Sequence, residues 1–231
     1  MIRGIIFDFD GLIVDTEWAV YQSWVELFDS FGAKLPLDQW TSIIGISAYE
    51  HFDPFDILEQ QIEQNLDRAS LSEQRHAREM GLARAQPILP GVEDYLREAK
   101  YQALKLGVAS SSDRNWVRGH LTRLRLLNYF DVIFTSEDVE RAKPDPALYH
   151  LALQRLDLSP SEAFVLEDSP NGVTAAKAAG IFAIAVPNPL TACLNLNHAD
   201  LILSSLDEIS LTELIRVVEN HPGASSPQIR V

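Results

Sequence analysis

Ile5-Ile6-Phe7-Asp8-Phe9-Asp10-Gly11 decides how this chain reads: an apolar run, with Ile2 ahead of it, ends in two aspartates and a glycine. Such a run is a buried strand opening into a loop, and in open α/β sheets ligands bind at the carboxyl ends of strands. Alternation along a strand aims Asp8 and Asp10 the same way. Two carboxylates side by side repel unless a cation, a shared proton or a ligand compensates them, and a hard divalent ion such as Mg²⁺ is the economical compensation. A plain Asp-Gly turn would account for the same letters, so the case rests on partners downstream. A calcium loop opening at Asp8 does not fit. It would need glycine at position 13 and glutamate at position 19, where the chain has Ile13 and Ala19.

Outward from this strand the chain has two textures. From Leu104 onward, short apolar runs (Leu106 to Ala109, Val132 to Thr135, Ala163 to Leu166, Ile181 to Val186, Leu201 to Leu203) alternate with helical patterns, the signature of βα units and a parallel sheet. Between Asp15 and Leu89 no strand is expected. Val20, Trp24, Leu27, Phe28 and Phe31 form a helical stripe stopped by Gly32. Further helices read at Leu37 to Ile44, Phe55 to Leu66 and Leu71 to Ala85. This stretch is several times longer than a βα crossover needs, so it reads as a helical insertion, with Pro87 and Pro90-Gly91 punctuating the return. The expected division is an α/β core over residues 1–15 and 90–219, a helical unit over 16–89, and a disordered tail over 220–231.

At 231 residues, 46% hydrophobic and 23% charged, the chain can bury a full core as a soluble globular protein. A formal net charge of -14 argues against a nucleic-acid or anionic-membrane partner, and any anionic substrate must be drawn in by local cations. No run approaches a membrane span; the longest candidate, Gly180 to Val186, is strand-sized. Asp8 interrupts the N-terminal apolar run, and Cys193, the only cysteine, excludes an internal disulfide. The expected location is cytoplasmic, with Cys193 structural.

Four further places stand at the ends of expected strands or the starts of helices. Ala109-Ser110-Ser111-Ser112-Asp113 offers hydroxyls and backbone N–H groups that suit a phosphate or a simple helix cap. In Arg141-Ala142-Lys143-Pro144, the proline pushes Lys143 out of helical geometry and suits a lysine aimed into a cleft. Val165-Leu166-Glu167-Asp168-Ser169 is a second apolar strand ending in carboxylates, and Asn171-Gly172 through Ala179-Gly180 is a small-residue helix beside it.

Taken in order, these places resemble the haloacid dehalogenase superfamily over nearly the whole chain. Asp8 to Glu17 is similar to its first motif, Ser110 to its second, Lys143-Pro144 to its third, and Glu167-Asp168-Ser169 with Gly172, Ala175-Ala176 and Gly180 to its fourth. The helical insertion resembles the C1 cap of the branch that holds β-phosphoglucomutase and small sugar-phosphate phosphatases. The resemblance implies a Rossmann-like parallel sheet core with an inserted α-helical cap domain, and a Mg²⁺-dependent phosphatase acting on a small phosphorylated metabolite, as a monomer or failing that a dimer. It further implies Asp8 as nucleophile and Asp10 as acid and base. Asp8, Asp168 and the Asp10 carbonyl would hold the metal, with Glu167 orienting metal-bound water. Lys143, Ser110, Ser111 and the backbone at Phe9 and Asp10 would bind the phosphoryl group. The second aspartate disfavours carbon-halogen chemistry.

Thr16, Glu17 and Ser47 are the expected substrate-side positions, with Tyr49, His51, Arg75, His76 and Arg78 as further polar residues of the insertion. Two alternatives stay open: a phosphomutase of the β-phosphoglucomutase type, and a catalytically silent phosphometabolite-binding protein. Against the mutase stand Ala48 after Gly45-Ile46-Ser47, where the resemblance implies an arginine, and Val20, where it implies a histidine.

Overall fold

The computed structural model describes residues 1–41 and 53–221. Its first strand, Gly4–Phe7 (β1), is buried at every residue. Four helices follow: Thr16–Ser30 (α1), Leu37–Thr41 (α2), Pro54–Ile62 (α3) and Arg68–Ala85 (α4). The chain then alternates through Val92–Tyr101 (α5), Lys105–Ala109 (β2), Arg114–Arg123 (α6), Val132–Phe134 (β3), Ala147–Leu156 (α7), Ala163–Glu167 (β4), Pro170–Ala178 (α8), Phe182–Ala185 (β5), Leu201–Ile202 (β6) and Leu211–Asn220 (α9). The strands form one sheet in the order β3-β2-β1-β4-β5-β6, with every pairing parallel. That is the Rossmann order.

Period-two alternation sorts the strands' side chains onto two covered faces. Ile5, Phe7, Leu106, Val108, Phe164, Leu166 and Ile184 pack with Tyr95 and Leu96 of α5 and Leu214 and Val218 of α9. Ile6, Val165, Ala183 and Ala185 face Leu148 and Ala152 of α7 and Ala175 and Ala176 of α8. Small residues on this second face let α8 lie close over the sheet.

Helices α1 to α4 enter between β1 and α5 and carry their own apolar cluster. Trp24 and Phe28 of α1, Trp40 of α2 and Phe55 and Leu58 of α3 meet there, joined by Leu190 from the segment after β5. Aspartates start three of these helices: Asp15, Asp53 and Asp67 accept from the backbone N–H groups of Trp18, Phe55 and Ser70. Where the chain leaves and re-enters the sheet domain, Val14 and Ile88 form an isolated antiparallel bridge, and Leu89 N donates to Ile13 O at 3.0 Å.

Among the described residues the expected strands and helices all occur, with ends shifted by one to four residues. Two details differ. Phe31 belongs to no buried stripe: α1 closes at Ser30 because the backbone turns back at Gly32 (φ 70°), which leaves Phe31 exposed. Asn220 is the last residue of α9, with its side-chain amide on Arg216 O at 2.7 Å, so it is no part of a tail. Residues 42–44 of the expected second helix and 222–231 lie outside the described residues.

Candidate active site

Phe7 stands level with Leu166, and Asp8 N donates to Leu166 O at 2.9 Å. Asp8 therefore arrives beside Glu167 and Asp168 at the carboxyl edge of the sheet, where strand order switches from β2 to β4 around β1. That crevice is the ligand site of open α/β sheets.

Lys143 reaches the same point from the segment between β3 and α7. Its ammonium donates to Asp8 Oδ1 and to Glu167 Oε1, the latter at 2.6 Å. Tyr149 on α7 adds its hydroxyl to the same Glu167 oxygen at 2.5 Å, and Ser169 Oγ donates to Oε2 at 3.3 Å. Helix α8 presses on Glu167 from beyond: a Cβ at Gly172 would collide with the whole carboxyl group. Asp168 is fixed by Asn188 Nδ2 at 2.8 Å. Gly11 (φ 75°) crosses over this pair, and a Cβ there would strike both Asp168 and Asn188.

The electrostatics of this cluster are unbalanced. Asp8, Glu167 and Asp168 are all buried, and each offers an oxygen within 4.8 Å of the others. Three carboxylates face one ammonium, which leaves two negative charges if all are ionised. Burial pushes the Asp8 carboxyl well above the usual range; Lys143 opposes this, while Glu167 and Asp10 add to it. Asp168 is pushed up by burial and by repulsion from Asp8, Glu167 and Glu17. Burial would lower Lys143, but Asp8 and Glu167 outweigh it and raise its pKa, so it stays charged. An all-oxygen donor set short of two positive charges fits a hard divalent cation.

Asp10 has different company. Alternation ends with β1 at Phe7, and the turn through Gly11 carries the Asp10 carboxylate to another set of donors. Its Oδ1 accepts from Thr16 Oγ1 at 2.7 Å and Trp116 Nε1 at 2.8 Å; its Oδ2 accepts from Ser112 Oγ at 2.6 Å and Ser110 Oγ at 3.2 Å. Beside it opens a cavity of about 250 Å³ lined by Thr16, Glu17, Val20, His76, Asp113 and Trp116 among others. Glu17 is pushed up to about 7 by burial and by Asp10, Asp15 and Glu79. Trp116, His76 and Asp113 also line a neighbouring cavity of about 580 Å³ between α4 and α6.

The structure thus gathers Asp8, Lys143, Glu167 and Asp168 in one buried cluster, and Asp10, Thr16 and Ser110 in an adjoining network. Phe9 is buried against His120. Ser111 is exposed, and its neighbour Ser112 reaches Asp10. Ser47, Tyr49 and His51 lie outside the described residues. Arg75 and Arg78 are committed to Glu79 at 2.5 Å and Glu26 at 2.6 Å. Cys193 sits exposed on a short turn. Sequence reading missed Ser112, Trp116, Tyr149 and Asn188. Ser112 had a signal in the serine run; the other three had none, since each is a single residue joined to the site only by folding.

Comparison with known proteins places the chain in a family. The family described as haloacid dehalogenase-like hydrolase matches residues 5–186. The chain is 45% identical over 215 residues to the candidate phosphatase YhcW of Bacillus subtilis, covering 93% of this chain and 97% of that one. It is 32% identical over 182 residues to the phosphorylated carbohydrates phosphatase of Thermotoga maritima, covering 78% and 82%. A crystal structure of a candidate β-phosphoglucomutase from Thermotoga maritima superposes with a TM-score of 0.76 at 30% identity, over 94% of this chain and all of that one. The matched residues run from β1 past the serine loop, Lys143 and the Glu167-Asp168 strand end, and the chain belongs to the haloacid dehalogenase-like hydrolases.

Proposed function

We propose that this protein is a Mg²⁺-dependent phosphatase that hydrolyses small phosphomonoesters of polyhydroxylated metabolites through an aspartyl-phosphate. The observation that carries the reading is the buried Asp8–Lys143–Glu167–Asp168 cluster with Asp10 one turn away. Kinship with a phosphatase of phosphorylated carbohydrates supports the substrate class.

Phosphoryl transfer is mostly alignment and charge neutralisation. Asp8 and Asp168, with the Asp10 carbonyl, would hold Mg²⁺, and Glu167 would orient its waters; when bound, the ion supplies charge neutralisation for the phosphoryl oxygens. An Asp8 oxygen attacks phosphorus and the ester bond breaks, its electron pair leaving on the alcohol oxygen. Asp10 gives that oxygen a proton, then takes one from the water that cleaves the aspartyl-phosphate. Lys143 neutralises Asp8 and a phosphoryl oxygen. Ser110, Ser111 and the backbone at Phe9 and Asp10, together with the neighbouring Ser112, are the donors proposed for the remaining oxygens, and the leaving group would occupy the cavity beside Thr16 and Glu17.

Residues 16–89 would act as the cap and residues 1–15 and 90–219 as the core, hinged where the chain crosses at Val14 and Ile88. The separate apolar cluster of α1 to α3 supports that division. We take the monomer as the working state, and no helix among the described residues is long and apolar enough to cross a membrane. We take the cytoplasm as the location. The mutase reading is disfavoured because Val20, which cannot hydrogen-bond, lines the cavity beside Asp10; Ala48 lies outside the described residues. Aryl-phosphate hydrolysis with and without Mg²⁺, followed by a panel of sugar and polyol phosphates, tests the proposal. Steady release of inorganic phosphate that requires the metal is expected. No metal-dependent turnover on any ester would favour a silent binding protein, and isomerisation of a sugar phosphate without phosphate release would favour a mutase.

A further inference from the structure

The donors around Asp10 divide by oxygen and by kind. Oδ2 is held by two serine hydroxyls, Ser112 at 2.6 Å and Ser110 at 3.2 Å. Such hydroxyls rotate freely and can turn to another acceptor. Oδ1 is held by Thr16 Oγ1 and by the indole N–H of Trp116, at 2.7 and 2.8 Å. An indole N–H is a donor only, fixed in the ring plane.

That ring is itself fixed. Trp116 stands in the first turn of α6, where its backbone N–H donates to Asp113 Oδ1 at 2.9 Å. One turn on, the buried His120 packs against the indole with ring centroids 4.4 Å apart. Arg123 holds His120 in turn through Nδ1 at 3.1 Å, and spans to Ala83 O of α4 at 3.0 Å. The indole also walls both cavities beside the site.

We propose that Trp116 is a positioning residue that anchors Asp10 by Oδ1 and leaves Oδ2 as the oxygen that carries the proton. This rests on the reading of Asp10 as acid and base. When a phosphoryl group recruits the serine hydroxyls, Oδ2 loses both its donors while Oδ1 keeps Thr16 and Trp116. In the first half-reaction the Oδ2–H bond breaks and its proton goes to the leaving oxygen as that oxygen takes the P–O electron pair. In the second, a water proton passes to Oδ2 while the water oxygen bonds to phosphorus and the Asp8–phosphorus bond breaks.

The test is the leaving-group dependence of kcat/KM across aryl phosphates, since 4-nitrophenolate departs without a proton and phenolate gains from one. Trp116→Phe keeps the ring and removes the donor. It should lose about tenfold on phenyl phosphate, a fraction of what general acid catalysis contributes, and stay within about threefold on 4-nitrophenyl phosphate. Trp116→His should retain activity on both, because imidazole Nε2 lies two ring bonds from Cγ as indole Nε1 does. A merely packing role would be served better by phenylalanine than by histidine. The proposal is overturned if the phenylalanine variant matches the unmodified protein on phenyl phosphate, or if both variants lose equally on both esters. Asp10→Asn separates the two levels: it should show the same discrimination at about a hundredfold or more. Equal loss on both esters there would remove the acid role of Asp10 and this proposal with it, whereas discrimination by Asp10→Asn but not by Trp116→Phe removes the Trp116 assignment alone.

Discussion

Gly172→Ala adds one methyl group where α8 meets Glu167. The new carbon would overlap the whole carboxyl group, and that carboxyl cannot move freely, being fully buried and bonded to Lys143 at 2.6 Å and Tyr149 at 2.5 Å. Either α8 shifts off the Ala183–Ala185 face or Glu167 leaves its partners. Overpacking costs about 1–3 kcal/mol, and displacing one member of a buried ion pair costs about 3–5 kcal/mol. Against this stands a helix-propensity gain of about 1 kcal/mol for alanine over glycine. The net runs from no change to a loss of about 4 kcal/mol, or up to roughly 16 °C in Tm for a chain of this size, and in either case below the control. Gly81→Ala on α4 is the internal control, because nothing lies within 4 Å of its added methyl. It should raise Tm slightly through the same propensity term. Calorimetry on both variants decides the matter, with phosphatase activity as the second readout. If Gly172→Ala melts with or above Gly81→Ala, the close approach of α8 to Glu167 is not what this geometry implies.

Asp8→Asn should reduce turnover to background with the fold retained, checked by circular dichroism beside the assay; substantial residual activity would remove Asp8 as nucleophile. Asp8 and Asp168 have folded-state pKa values above those of the unfolded chain. The folded state therefore binds more protons above about pH 4, and metal-free stability falls as pH rises. If Mg²⁺ binds among these carboxylates it relieves that repulsion, so the stabilisation it gives should grow from pH 5 to pH 8, reaching about 2.7 kcal/mol at a hundredfold excess over Kd; a stabilisation larger at pH 5 would contradict the placement of the cation there. His120 is lowered to about 4 by burial and by Arg123. It is neutral at physiological pH, and the stability it contributes by remaining so is lost as pH falls from about 6.5 towards 4. Its ring protons should titrate near that lower value by NMR, and a midpoint at 6 or above would mean that the ring is not enclosed as described.

Patterns of period two and 3.6 carried most of the fold. Each expected strand was a run of three to six apolar or small residues, and each pairs in one parallel sheet. The cluster was equally legible, because Asp8, Lys143, Glu167 and Asp168 each follow or border a strand that topology brings to one edge. What was not legible depends on contacts between residues far apart in sequence. The Asp10–Trp116 bond spans 106 positions and the Asn188 contact with Gly11 spans 177. Neither Trp116 nor Asn188 belongs to a pattern that announces it. Which serine of the run faces Asp10 was not legible either: only the bend after β2 decides that it is Ser112.

Asp8 and Asp10 are the same residue type two positions apart, yet the structure gives them opposite surroundings. Asp8 is buried with one ammonium and two other carboxylates, an environment where its free carboxylate is costly until a cation arrives. That suits a nucleophile exposed only in the loaded site. Asp10 is held by four neutral donors on three separate pieces of chain, a hydroxyl from α1, two from the loop after β2 and an indole from α6. That suits a group whose task is to exchange a proton while being held in one orientation. Two like carboxyl groups acquire separate roles when their environments are made different. Here the separation is produced by a single event in the backbone: β1 stops at Phe7 and the chain turns through Gly11, so the second aspartate leaves the plane of the first. A residue with a side chain at Gly11 would meet Asp168 and Asn188, so the glycine that ends the opening stretch of sequence keeps the two carboxylates apart.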